Sequence, residues 1–232
     1  MLDLFDIEDD NVDMIINDGN EDIDLPKGHD FIVSIHAWKE NCSHCGCGVI
    51  VDNCLITAGH VAKNKTTGVL LQEIYVLFKG NFYCLCEKDI IYDGRNTIES
   101  IDGIHDDLII YKFDVEDSPF KLNDKEFEEG LSLYTRIIDY IADVDKLKPS
   151  GNSCKIVSLT SKALNDKEKV WLNCFDVNNP LIYKEGNSGC PVYRENIVYG
   201  ILLKGDADGN NGRIYTVLNA NYIKSKIEER RF

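Results

Sequence analysis

Three short segments hold side chains that could make and break an acyl bond. The first, Leu55-Ile56-Thr57-Ala58-Gly59-His60-Val61, follows Cys47-Gly48-Val49-Ile50-Val51 and reads as a hairpin delivering a histidine at the end of an apolar strand. The second, Asp106-Asp107-Leu108-Ile109-Ile110-Tyr111, puts acidic groups at the mouth of a strand apolar enough to be buried. The third, Gly186-Asn187-Ser188-Gly189-Cys190-Pro191, flanks a serine with glycines, so the backbone can turn tightly and present the hydroxyl and N–H groups together. Taken singly, a structural histidine, a strand after a turn and an ordinary loop account for them. Taken together they suit acyl transfer. A serine hydroxyl is too weak an acid to attack an amide carbonyl unaided at neutral pH; an imidazole can accept its proton and pass it to the leaving amine. A carboxylate on the other ring nitrogen fixes the tautomer and stabilises the imidazolium.

Such groups need rigid elements to hold them. From Phe31 onward the chain alternates short apolar runs with turn signals: Phe31-His36, Gly48-Val51, Leu55-Ala58, Ile74-Phe78, Phe82-Cys86, Leu108-Phe113, Ser132-Ile138, Lys155-Leu159, Val170-Phe175, Ile197-Leu203 and Arg213-Val217. These runs predict a mostly β fold. With no long helical periodicity between them they argue against a parallel βαβ sheet and for antiparallel barrels or sandwiches. Tyr222, Ile223 and Ile227 stand at helical spacing and predict one C-terminal helix over Asn219 to Arg230. Residues 1–26 carry ten acidic residues before the first basic one, Lys27, and read as an extension to the fold: a solvated tail, or a docking or autoinhibitory segment.

A hydrophobic content of 44% is enough to build packed cores. The net charge of -15 would repel phosphate backbones, so nucleic acid is not expected as a partner. No apolar run reaches the ~18 residues of a membrane-spanning helix, and the acidic N-terminus does not resemble an export signal. Nine cysteines, an odd number, fit free thiols or a metal site in a reducing, cytoplasmic setting better than a complete disulfide framework.

The three segments together resemble the trypsin-like, chymotrypsin-fold serine peptidases: Thr-Ala-Gly-His for that family's T-A-x-H, Asp-Leu-Ile-Ile for its D-x-A-L strand, and Gly-Asn-Ser-Gly-Cys-Pro for its G-[DN]-S-G-G-P. The match spans roughly residues 31 to 220, in the family's order. The resemblance implies two antiparallel six-stranded barrels with the site between them, in a domain covering 27–232 whose halves meet near 115–130. It implies a catalytic triad of His60, Asp107 and Ser188, with Gly186 and Ser188 N–H groups as the oxyanion hole. Asp107 is preferred over Asp106 because it directly precedes the Leu-Ile-Ile run. A protein or peptide substrate is implied, and no cofactor is required for catalysis.

Departures from the family pattern shape the remaining expectations. Asn187 stands where secreted members carry an Asp that pairs with a newly cut N-terminus, so activation by such a cut is not expected. Val61 stands where a disulfide cysteine would follow His60. Cys42, Cys45, Cys84 and Cys86 offer a candidate structural zinc site, with reduced thiols or an incidental disulfide as alternatives. By resemblance, Leu203, Lys204 and Gly205 lie on the strand that pairs with substrate backbone, and Ile182 falls at the pocket floor, with no Asp there to receive a basic side chain. Arg213, on the strand closing the pocket, could pair with an acidic substrate residue or simply balance an acidic surface.

Overall fold

Runs of Ile, Val, Leu and aromatic residues broken by polar turns are too short for stable helices and suit a pleated surface with one buried face. The computed structural model describes residues 29–37, 42–63, 69, 71–94, 107–115, 117–125, 129–141, 150–162, 174–179, 186–208 and 212–230, and these form fourteen strands and one α-helix. The acidic stretch 1–26 lies outside them.

Strands β1 (Ile32–Ala37), β2 (Cys42–Val51), β3 (Cys54–Ala58), β4 (Glu73–Phe78), β5 (Asn81–Cys86), β6 (Ile90–Asp93) and β7 (Leu108–Lys112) make an antiparallel sheet in the order β5-β4-β1-β2-β3-β7-β6. Tight hairpins fix its register. Asp52 and Asn53, with φ of 47° and 60°, join β2 to β3, and Lys79 and Gly80, with φ of 47° and 78°, join β4 to β5. Positive φ at both central residues matches the twist of the flanking strands. Only Glu87–Asp89 separate the two edge strands β5 and β6. The edges must therefore approach at that end, and the sheet curls.

The second sheet holds β8 (Lys121–Leu122), β9 (Ser132–Ile141), β10 (Ser150–Lys162), β11 (Cys174–Asn179), β12 (Pro191–Arg194), β13 (Ile197–Asp208) and β14 (Gly212–Asn219). Its order is β12-β9-β10-β11-β14-β13-β8, and an added β12–β13 pairing closes six of these strands into a ring. The expected six-stranded barrel is thus met by this ring, and each sheet carries one strand more in its pairing. β6 widens the first sheet to seven, and the two-residue β8 joins the second by a parallel pairing with β13. All eleven expected strands are present, with β10 and β13 extended through polar residues by their long pairing partners. The expected Val170-Phe175 run begins outside the described residues and is seen as β11 from Cys174.

The helix α1 (Ala220–Glu228) buries Ala220, Ile223 and Ile227 on one face. Tyr222 brings its hydroxyl to 3.5 Å from that of Tyr92 on β6, so the helix returns to the first sheet. Asn219 caps it, its side chain accepting the Asn221 N–H at 2.9 Å. Asn219→Ala should cost about 1 kcal/mol, seen as a fall of about 2–4 °C in the thermal midpoint. Among the described residues no helix is long and apolar enough to cross a membrane.

The cores interlock. The larger cluster joins the first sheet to Phe120, Tyr193 and Leu203 of the second half, while the smaller one, built on Leu133, Phe175, Val192 and Val217, takes in Cys47 from β2. This exchange of side chains holds the two sheets in fixed relation at the place where the chemistry-bearing segments meet.

Candidate active site

β3 is buried throughout and runs directly into a single helical turn, Gly59–Ala62, which swings His60 off the end of the strand. β3 pairs antiparallel with β7, Ala58 opposite Leu108, so the residues just past these ends must also meet. Gly59 donates its N–H to the Asp107 carbonyl at 2.9 Å. Asp107 is 4% exposed, and a carboxylate so buried is tolerable only if hydrogen-bonded. Its Oδ1 accepts the His60 backbone N–H at 2.7 Å, and its Oδ2 lies 2.5 Å from His60 Nδ1. An ionised carboxylate only accepts, so this contact assigns the hydrogen to Nδ1 and makes Nε2, on the far edge of the ring, the acceptor. The His60 side chain keeps 40% of its surface open. Asp106 lies outside the described residues.

The serine turn is bracketed by Gly186 at φ +98° and Gly189 at φ +85°, conformations that a side chain would strain. Two of its carbonyls are held by Cys47 of β2 and one by a bond within the turn. Cys47 Sγ donates to Gly186 O at 3.3 Å, Cys190 N–H to Asn187 O at 3.0 Å, and Cys47 N–H to Ser188 O at 2.8 Å. Gly189 N–H donates to Leu202 O at 2.7 Å. Asn187 is 1% exposed and turned inward. On β13 the register slips between Leu202, opposite Val217, and Lys204, opposite Thr216. Leu203 sits in this bulge, and its carbonyl accepts the Ser188 hydroxyl at 3.2 Å.

Two short links join the serine turn to the histidine turn. Thr57, three residues before His60, donates its hydroxyl to Cys47 O at 2.5 Å, and Cys47 holds Ser188. A Cβ on Gly46 would lie 2.5 Å from Val61 Cγ2 and 2.8 Å from Ser188 O, so only glycine fits between the two turns. These links run through residues that the sequence reading did not single out. Their signal was the Gly-x-Gly pattern inside β2, because a strand glycine often marks close backbone approach.

The expected pocket residues are covered unevenly. Leu203 is buried and placed beside Ser188. Lys204 and Gly205 pair with Thr216 and Tyr215, and Arg213 pairs with Asn179 and Ala207; their side chains lie outside the described residues, as does Ile182 entirely.

The zinc expectation fails for the three thiols whose side chains are described. Cys45 is buried on β2, while Cys84 and Cys86 lie on β5, separated from β2 by β4 and β1. Three strand spacings amount to about 14 Å along the sheet. Desolvation, then the hydrogen bond and charge of Glu73, push the Cys84 thiol up, away from the thiolate that a metal needs. Among the described residues no three His, Cys, Asp or Glu side chains gather as a metal site; the Cys42 side chain lies outside them.

No protein-family model matches the sequence, and no curated protein matches it. Solved structures do match in fold. Neuropsin, a serine protease expressed in the limbic system of mouse brain, superposes with a TM-score of 0.65 at 13% identity, over 90% of this chain and 97% of that one. An inactivated protease paralogue of the scabies mite gives 0.60 at 14%, over 88% and 96%. A protease from M. tuberculosis in its active form gives 0.57 at 14%, over 88% and 82%. The chain therefore has the two-barrel fold of the trypsin-like serine proteases. Because that fold serves an active protease and an inactivated paralogue alike, activity must be argued from the site itself.

Proposed function

We propose that this chain is a serine endopeptidase that hydrolyses peptide bonds through an acyl-enzyme on Ser188. One observation carries the reading: a buried carboxylate, Asp107, binds both the backbone and the ring of His60 and so orients Nε2 as a proton acceptor, on a turn linked to that of Ser188. A histidine kept merely for structure needs no tautomer assigned and no open edge.

In this mechanism Ser188 Oγ attacks the substrate carbonyl carbon while His60 Nε2 takes the hydroxyl proton. Asp107 stabilises the imidazolium. The carbonyl oxygen, now an oxyanion, is received by the Gly186 and Ser188 N–H groups, each donor worth about 3–4 kcal/mol. Collapse breaks the C–N bond, and the His60 proton goes to the leaving amine. Water then repeats the sequence on the ester and restores Ser188. The chemistry requires only protein groups and water. Asn187 is neutral and buried, with no charge to pair with a released N-terminus, so the site is proposed to form without a zymogen cut. The odd count of nine cysteines suits a reducing compartment better than a complete disulfide framework, and so favours a limited set of intracellular protein substrates.

A second reading, a silent binding module, draws on the inactivated scabies mite paralogue among the fold neighbours. Treatment of the folded protein with a fluorophosphonate separates the two. In a peptidase, Ser188 Oγ bonds to phosphorus, fluoride leaves, and mass spectrometry finds the adduct on Ser188. Folded protein that acquires no adduct there overturns the peptidase reading in favour of the binding module.

A further inference from the structure

We propose that Cys47 is a positioning residue for the serine turn, its thiol hydrogen bond to Gly186 O holding the peptide that lies between the oxyanion-binding N–H groups of Gly186 and Ser188. This rests on the peptidase reading above. Cys47 belongs by its backbone to the first sheet, paired with Ser34 of β1, yet its side chain is fully buried in the second core cluster. It meets the serine turn at two points, with its N–H on Ser188 O at 2.8 Å and its Sγ on Gly186 O at 3.3 Å. Its own carbonyl is tied to Thr57 Oγ1 at 2.5 Å, so the clamp is anchored to the strand that carries His60.

The need for a clamp follows from the backbone. Gly186, at φ +98°, lies where glycine moves freely and other residues do not, so the peptides beside it rotate at little cost. In a trans peptide the C=O and the following N–H point opposite ways. The Cys190 N–H on Asn187 O therefore aims the Ser188 N–H away from Cys190. The Gly186–Asn187 peptide, which lies between the Gly186 and Ser188 N–H groups, has its carbonyl bonded to the Cys47 thiol, and a change in the torsions on either side of it would turn one N–H relative to the other. A weak S–H donor suffices because Cys47 is fully buried, where no solvent competes for the carbonyl. The backbone half of the clamp survives any side-chain change; the thiol half can be removed alone.

The test measures fluorophosphonate labelling of Ser188 in the full chain for wild type, Cys47→Ala and Cys47→Ser, at a temperature well below each thermal midpoint, with the maximal labelling rate and the half-saturating probe concentration resolved separately. Cys47→Ala should lower the maximal rate about tenfold, the worth of one buried hydrogen bond realised as the phosphorus oxygen takes the oxyanion position, without changing the half-saturating concentration. Cys47→Ser, which keeps a donor at the same place, should restore most of the rate, an outcome a packing role cannot give. Wild-type rates in Cys47→Ala overturn the positioning role and leave the peptidase reading standing. A Cys47→Ser rate as low as that of Cys47→Ala also overturns it, since volume and not donation then governs. Should Cys47→Ala fail to fold, Cys47→Ser decides alone: a tenfold loss in the folded variant sinks the proposal, and retention of the rate supports it. Failure of the wild type to label at all removes the peptidase reading and the positioning role together.

Discussion

Asp107→Asn should slow acylation of Ser188 by about four orders of magnitude while leaving the fold intact. The size of the effect comes from the two bonds that Asp107 makes at once, Oδ1 with the His60 N–H and Oδ2 with Nδ1. A carboxylate accepts at both oxygens; an amide accepts at one and donates at the other. The His60 backbone N–H can only donate, so it claims the amide oxygen and leaves the NH2 facing Nδ1. The ring is then forced to carry its hydrogen on Nε2, where it cannot receive the Ser188 proton. Fluorophosphonate labelling rates with a thermal melt of the same sample provide the check. A loss smaller than tenfold in a folded variant would mean that the ring turns freely and that Asp107 is only a structural anchor.

Gly189→Ala should destabilise the protein by about 3 kcal/mol or more and abolish labelling of Ser188. Two costs coincide. The residue sits at φ +85°, and an added Cβ would overlap the Cys47 carbonyl oxygen and fall 2.5 Å from Thr57 Oγ1. The carbonyl belongs to β2, which pairs with Ser34 of β1 at Cys47 and is tied to β3 by the Thr57 hydroxyl, so its retreat would break these bonds. Gly80 supplies the internal control, with φ +78° and nothing within 4 Å of the place a Cβ would occupy, so Gly80→Ala carries the backbone strain alone, about 1–2 kcal/mol. Comparing the two melts isolates the steric part. Equal shifts would show that the serine turn can move away from β2, contrary to the hydrogen bonds that hold it.

The strands were readable because apolar residues recur at sheet period: the unbroken run at β7 and the alternation along β4 leave no competing interpretation. β6, β8 and β12 were not: a half-buried Ile-Ile-Tyr-Asp and a dipeptide owe their strand state to partners remote in sequence, and the Pro-led tetrapeptide of β12 is a short hairpin arm to β13 that also pairs with the remote β9. At the site, the His60 and Asp107 segments could be joined because both adjoin strands that pair end to end. The thiol spacing misled for the converse reason. Cys45 and Cys84 look close once hairpins are drawn, but sheet order decides distance, and β1 and β4 intervene. The Leu203 bulge carries no local signature, and the crossing of Cys47 into the opposite core only that of its flanking glycines; both come from two sheets packing against each other.

The interlocked cores also impose an order in time. A chain made from its N-terminus completes His60 and Asp107 well before the turn at Gly186 exists, and among the described residues that turn finds hydrogen bonds on β2, already made, and on β13, made after it. The helix that closes onto Tyr92 arrives later still. On the proposed peptidase reading, the nascent polypeptide until then holds a base with nothing to activate. A break between β7 and β8 would leave each fragment equally inert, with function returning only on reassociation.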